Sequence, residues 1–308
     1  MSHLKKKKNS GGSAILGGRK ALIFYIILMA IPILQFCVFY VGVNFNSFLI
    51  AFQKTDILTG VKTATFEHFE RFWREMTVFT NMRTVTFNSI KAWAISLCIS
   101  MPLSLIISFY IYKKAFGSGF FKVLVFAPSI ISSMVLVLMF KYFVEWGLPM
   151  AGIVTSSGTD FITDINTRFE TIVFYNIWIG LGSSMLVYSG AMSQIDDSVV
   201  EAAQLDGAGL FSEFIHITLP SVYPTLSVFL VTGVAGLFNN QLCLYNFYGP
   251  LCEQNYQTVG YYIFVNVSNG TVNDQAYAAA IGLVGTGIII PITLILRWAL
   301  DKFGPQEE

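Results

Sequence analysis

Six runs of predominantly apolar residues, 21–43, 89–112, 120–143, 171–193, 221–246 and 276–299, constrain this chain more than any other feature. A bilayer core of about 30 Å needs roughly 20 residues of α-helix to cross it. Backbone polar groups in hydrocarbon must also pair internally, which leaves helices and closed barrels as the only spanning structures. Runs of this length predict an all-α fold: a polytopic membrane protein with six transmembrane helices. Composition excludes a soluble globule, since 54% of the 308 residues are AVILMFWYC and 12% are charged, against about 25% charged in an ordinary soluble domain. The first run follows a basic stretch, as a signal peptide would, but it is too long for an h-region and lacks an evident A-x-A site. It reads as a retained span.

The net charge of +1 hides an asymmetry: Lys5, Lys6, Lys7, Lys8, Arg19 and Lys20 concentrate positive charge in the first 20 residues. Beside an apolar run, such a stretch reads as a membrane flank rather than a nucleic-acid site. Lys113, Lys114 and Lys122 between the second and third runs, with Arg297 and Lys302 at the end, fall on the same side of a six-span path. The positive-inside rule then places both termini in the cytoplasm. The expected organisation is a basic cytoplasmic tail over 1–20, a permease domain over 21–299 and a cytoplasmic C-terminal tail over 300–308.

Residues 44–84 read as an external loop with a short amphipathic helix, on which Phe66, Phe69, Phe72 and Trp73 recur among charged residues. Residues 247–275, rich in turn formers, read as a second external connection. Cys37, Cys98 and Cys243 lie in apolar stretches, and the three histidines are scattered. No disulfide framework and no metal site are expected.

The loop between the fourth and fifth runs, 196–220, carries no Lys or Arg but has Asp196, Asp197, Glu201, Asp206 and Glu213. Ser198 and Glu201 have capping-box spacing, with Asp196 and Asp197 favourably placed at the helix dipole. Gly207 offers the left-handed residue that ends a helix. A second helix follows, with Leu210, Phe214 and Ile217 on one apolar face and Pro220 stopping or bending it. This helix–turn–helix either folds against its own bundle or docks, by its acidic surface, on a basic partner.

The pattern E-A-A-x-x-D-G-A-x(5)-F-x-x-I-x-L-P, met by Glu201, Ala202, Ala203, Asp206, Gly207, Ala208, Phe214, Ile217, Leu219 and Pro220, resembles the EAA loop of membrane subunits in binding-protein-dependent ABC importers. The stretch 120–147 and the Asn239-Asn240 pair are similar to the carbohydrate branch, in particular to the type of the larger membrane subunit of the maltose importer. The resemblance implies a type I importer permease fold in a bacterial cytoplasmic membrane. It also implies a second homologous permease subunit, two cytoplasmic ATPase subunits and an extracytoplasmic solute-binding protein as partners. The loop would insert into a cleft on an ATPase subunit, Glu201 anchoring it and Gly207 making the turn. ATP and Mg would be bound by those ATPases and no cofactor by this chain, which has no GxxxxGK[ST] motif.

Polar groups within spans carry a functional hypothesis, with helix–helix hydrogen bonding as the alternative. Asn176, Gly180 and Ser183 share helical spacing on the fourth run, and Gly233, Leu237 and Asn240 on the fifth. Amides bond sugar hydroxyls without imposing charge, and nearby Trp178, Tyr188, Tyr245 and Phe247 offer aromatic faces. By resemblance the sugar site maps onto Asn176, Ile179, Gly180, Ser183, Gly233, Leu237 and Asn240. The family member has a phenol at Ser183, a hydroxyl at Gly233 and an amide at Leu237. The series Ser96, Ser100, Ser104 and Ser108 reads as a close-packing stripe. The leading expectation is therefore a sugar importer permease without enzymatic activity of its own. A permease for a polyol or glycerol phosphate, and a stand-alone secondary carrier, are the alternatives.

Overall fold

The computed structural model describes residues 19–79 and 81–305. Lys5 to Lys8 of the basic tail, and residues 306–308 of the C-terminal tail, lie outside the described residues.

Helix α1 (Ile23–Ala51) is apolar on all sides and leaves almost every side chain from Ile23 to Leu49 exposed, as a lipid-facing helix does. It continues beyond the expected end of the first span. Within the expected external loop a β-hairpin follows, β1 (Gln53–Thr55) pairing antiparallel with β2 (Lys62–Ala64), Gln53 opposite Ala64. Helix α2 (Glu67–Thr77) is the expected amphipathic element and buries His68 and Phe72. Helix α3 (Asn81–Tyr112) starts a polar two turns before the apolar run begins.

The third run is not one helix. It divides into α4 (Ser118–Ile130) and α5 (Ser133–Met150), with Ile131 and Ser132 extended between them. Pro128 cannot donate into the last turn of α4, and Ser132 suits the start of a helix better than its interior. Helix α6 (Arg168–Met192) is the central element, packed on α3 and α4.

Helices α7 (Asp197–Leu205) and α8 (Leu210–Ser221) form the 196–220 loop. Helix α9 (Tyr223–Ala235) leaves α8 at a 68° bend. Pro220 and Pro224 each remove a backbone donor around that bend, which is the physical cause of the break in direction. The fifth run is also interrupted. Residues 236–243 are irregular, with Leu242 and Cys243 at positive φ, before the short α10 (Leu244–Tyr248). Gly233, Leu237 and Asn240 therefore do not share one helical face, because the helix ends at Ala235. Helices α11 (Val259–Asn269) and α12 (Val272–Phe303) complete the chain, and α12 packs on α1, α9 and α11.

Among the described residues, five helices are long and apolar enough to cross a membrane, and six if the α8–α9 pair counts as one bent span. Buried apolar side chains gather in three groups among the described residues: one around Tyr175, Phe247 and Tyr261, one around Phe72, Met82, Val85 and Tyr277, and one around Leu105, Tyr188, Met192 and Val222, which Phe214 and Leu219 of the loop join.

Candidate functional site

The loop is built from its caps inward. Asp196, not Ser198, is the N-cap of α7, its carboxylate accepting from the Ser198 amide at 2.9 Å. The expected Ser198–Glu201 capping box is thus displaced, because the helix already begins at Asp197. That amide holds the Asp196 carboxyl below the usual carboxylate range. At the other end of α7, Gly207 takes φ +86° as expected. The Ala208 amide donates to the Ala203 carbonyl at 2.9 Å and the Gly207 amide to Gln204 at 3.1 Å, the paired bonds of a Schellman turn. Asp206 donates its amide to Ala202, so Ala202, Ala203, Asp206, Gly207 and Ala208 form one hydrogen-bonded turn.

In α8, Phe214 packs on Phe109 of α3 with ring centroids 5.0 Å apart, and Leu219 packs in the same core. Ile217 is half-buried beside them, whereas Leu210 turns outward. Pro220 lies in the last turn before the bend. Glu213 faces the bundle, 1% exposed, and both its carboxylate oxygens accept from Lys113 Nζ, at 2.7 and 2.9 Å. This pairing was missed from sequence, although Glu213 stands four residues before Ile217 and so shares its packed face.

Of the five acidic residues of the loop only Glu213 is buried, in an internal ion pair; Asp196, which caps α7, and Asp197, Glu201 and Asp206 are exposed, as an acidic surface requires. Apolar side chains project beside them: Leu205 is 90%, Phe211 79% and Leu210 64% exposed. Glu201 makes no ion pair among the described residues, and stands on the open side of α7.

A cleft lies between α3 and the interrupted fifth run. One cavity, of about 380 Å³, is lined by Ser89, Trp93 and Ser96 of α3, Gly233 of α9, Leu237, Asn239 and Asn240, and Thr258. A second, of about 280 Å³, shares Trp93, Ser96 and Gly233 and continues along Ser100 and Ser104 to Tyr188 and Phe229. Among the described residues, no charged side chain lines either cavity. The serine stripe therefore has two roles. Ser108 is fully buried and bonds the Ser104 and Met185 carbonyls, as close packing predicts, while Ser96 and Ser100 face the cleft. Trp93, which the sequence reading did not select, is the aromatic wall common to both cavities.

Of the mapped sugar residues, the structure brings Gly233, Leu237 and Asn240 together on the first cavity and leaves Asn176, Ile179, Gly180 and Ser183 out of its lining. The Asn176 Nδ2 donates to the Ile172 carbonyl of its own helix, at 2.8 Å, and to Leu242, at 2.9 Å. Ile179 packs against the aromatic core, and the Ser183 hydroxyl donates to Gly180. Within the irregular segment Asn240 Oδ1 accepts from the Leu242 amide, and the segment is held from outside at two points, by Asn176 on the Leu242 carbonyl and by Thr258 Oγ1 on the Asn240 carbonyl. Gly260 makes a third contact: a Cβ there would lie 2.6 Å from the Asn239 carbonyl, so only glycine lets α11 approach. Of the expected aromatic faces, Tyr188 lines the second cavity, while Phe247 is buried against Tyr175 and Phe140.

An apolar helical bundle carrying a two-helix loop at one end, and an uncharged polar cleft between its spans, defines a multi-pass membrane component of a transport system. The chain belongs to the family described as binding-protein-dependent transport system inner membrane component, whose model matches residues 100–306. It is 24% identical over 292 residues to the polygalacturonan/rhamnogalacturonan transport system permease protein YteP of Bacillus subtilis (strain 168), covering 92% of this chain and 89% of that protein. It is 27% identical over 161 residues to the maltose/maltodextrin transport system permease protein MalF of Salmonella typhimurium (strain LT2), covering 51% of this chain and 30% of that protein. Among solved structures, a bacterial alginate ABC transporter in complex with an alginate pentasaccharide-bound periplasmic protein superposes with a TM-score of 0.73 at 19% identity. That superposition covers 92% of this chain and 95% of the other.

Proposed function

We propose that this chain is one of two permease subunits of an ABC importer for a sugar or oligosaccharide. It forms half of the translocation pathway and is driven by two cytoplasmic ATPase subunits through the 196–220 loop. The observation that carries this reading is the loop itself, where a Schellman turn at Gly207 presents Leu205, Leu210 and Phe211 to solvent beside exposed Glu201. Exposed apolar side chains on a compact, hydrogen-bonded support suit insertion into a partner's cleft. Family membership favours this over a stand-alone carrier.

Both termini are assigned to the cytoplasm on the distribution of Lys and Arg, which puts the loop on the ATPase side. ATP and Mg belong to the ATPase subunits and this chain binds neither. An extracytoplasmic binding protein delivers the solute, consistent with the periplasmic protein in the alginate transporter complex. Gly233, Leu237 and Asn240, with Trp93, Ser96 and Ser100, contact the solute in the cleft. Hydroxyls and amides bond sugar hydroxyls, and the Trp93 indole covers an apolar sugar face. Asn176 acts from behind by holding the segment that carries Asn240, Ile179 supports it from the aromatic core, and Gly180 and Ser183 face the pathway from α6. The relatives' names favour a saccharide over a polyol or glycerol phosphate.

The test is uptake by the complete complex in proteoliposomes with ATP inside and the binding protein outside. Labelled oligosaccharide should accumulate only when the ATPase subunits are present. Transport by this chain without them refutes the proposal, and so does ATP-driven uptake confined to non-sugar solutes.

A further inference from the structure

The loop reaches the cleft by two routes. One is covalent, from α8 through the 68° bend into α9. Pro220 and Pro224 deprive that bend of two backbone donors, so it is the more compliant route. The other crosses space. Glu213 of α8 is 1% exposed and accepts two hydrogen bonds from Lys113, while its neighbour Phe214 packs on Phe109. The Lys113 amide donates to the Phe109 carbonyl at 2.9 Å, so its backbone belongs to the last turn of α3. The same helix places Ser104, Ser100, Ser96 and Trp93 along the cleft.

We infer that Glu213 and Lys113 are positioning residues that lock α8 to α3, so that movement of the loop is delivered directly to the Trp93–Ser104 wall while the α8–α9 bend flexes. A charge-assisted contact from the half-buried Lys113 ammonium to both oxygens of the buried Glu213 carboxylate resists separation and sliding in a way that apolar contact alone does not. The remaining neighbour, Gln204 Nε2, lies at 3.5 Å from the carboxylate and ties α7 into the same unit. This rests on the proposed coupling of the loop to ATPase subunits.

The test uses the complete reconstituted complex and reads solute taken up per ATP hydrolysed. Glu213→Gln keeps the shape but leaves Lys113 without its counter-charge. Its uptake per ATP should fall by about tenfold, the scale at which a single contact changes coupling, with ATP hydrolysis retained. Exchanging the pair, Lys113→Glu with Glu213→Lys, should restore the ratio. An unchanged ratio in Glu213→Gln, or an exchange no better than the single variant, overturns the inference.

A second measurement decides the matter even where variants fail to assemble. Spin labels at Ile106 on α3, Val199 on α7 and Val228 on α9, all exposed positions, are compared in nucleotide-free and ATP-bound complexes lacking other cysteines. The 106–199 distance should stay constant while the 199–228 distance changes, and any other pattern overturns the lock. The labels need no transported solute, so a wrong sugar assignment leaves this result standing. Failure of the chain to assemble with ATPase subunits counts against the proposed function instead.

Discussion

Asn176 of α6 reaches across to the Leu242 carbonyl, donating at 2.9 Å from the same nitrogen that bonds Ile172 at 2.8 Å. Both amide hydrogens are thereby used, and what looks in sequence like a solute ligand is a tie to the irregular segment that carries Asn240. Asn176→Ala should cost about 1–2 kcal/mol by leaving the buried Leu242 carbonyl unpaired. The expected result is a lower midpoint in thermal unfolding in detergent. The uptake maximum should fall more than the apparent affinity for solute.

Gly207 at φ +86° has open space around its missing Cβ, so a substitution there is penalised by the backbone alone. Gly207→Ala should cost about 1 kcal/mol, the strain of a left-handed residue carrying a side chain. Because the space is open, no clash compounds it. Insertion should be normal, with faster proteolytic cleavage between α7 and α8 and reduced ATP-driven uptake.

Phe211 contributes little to the fold of this chain, being 79% exposed. Phe211→Asp should leave thermal stability unchanged, yet weaken copurification of the ATPase subunits by about thirtyfold if it is an interface anchor worth about 2 kcal/mol. Equal recovery of ATPase subunits with both chains contradicts the docking role.

The Asp196 cap is acid-sensitive. The Ser198 amide lowers its carboxyl from the ordinary value, so its contribution is present above about pH 4 and is lost as pH falls through the lowered value. The α7 N-terminus should become more accessible to an acid-active protease below that range. Asp196→Asn keeps a capping acceptor without the titration, and should remove the pH dependence.

The membrane class, the helix–Gly207–helix loop and the bend at Pro220 were legible in sequence because each follows from local physics. Apolar runs must become helices in hydrocarbon, a left-handed turn favours glycine, and proline withholds a donor. The breaks at Ile131–Ser132 and after Ala235 were not legible, since apolar character continues through both and says nothing about where the helix ladder stops. Helical spacing places Gly233, Leu237 and Asn240 on one face, whereas the last two lie on an unwound segment, tied by Asn176 at Leu242 and by Thr258 at Asn240, that still meets the cavity.

By itself, then, the sequence determined that this is a multi-pass membrane component with a helix–turn–helix loop, because length, hydropathy and turn chemistry act within a few residues. Only the tertiary structure decided which polar groups are spent inside the protein and which face the cleft. Glu213 and Lys113 are 100 residues apart, and Asn176 and Leu242 are 66. At such separations a charge or an amide has no assigned partner until helices pack. Packing drew one carboxylate of an acidic loop into an ion pair with α3 and left apolar side chains exposed beside the others, and it made part of a serine stripe the wall of a cavity.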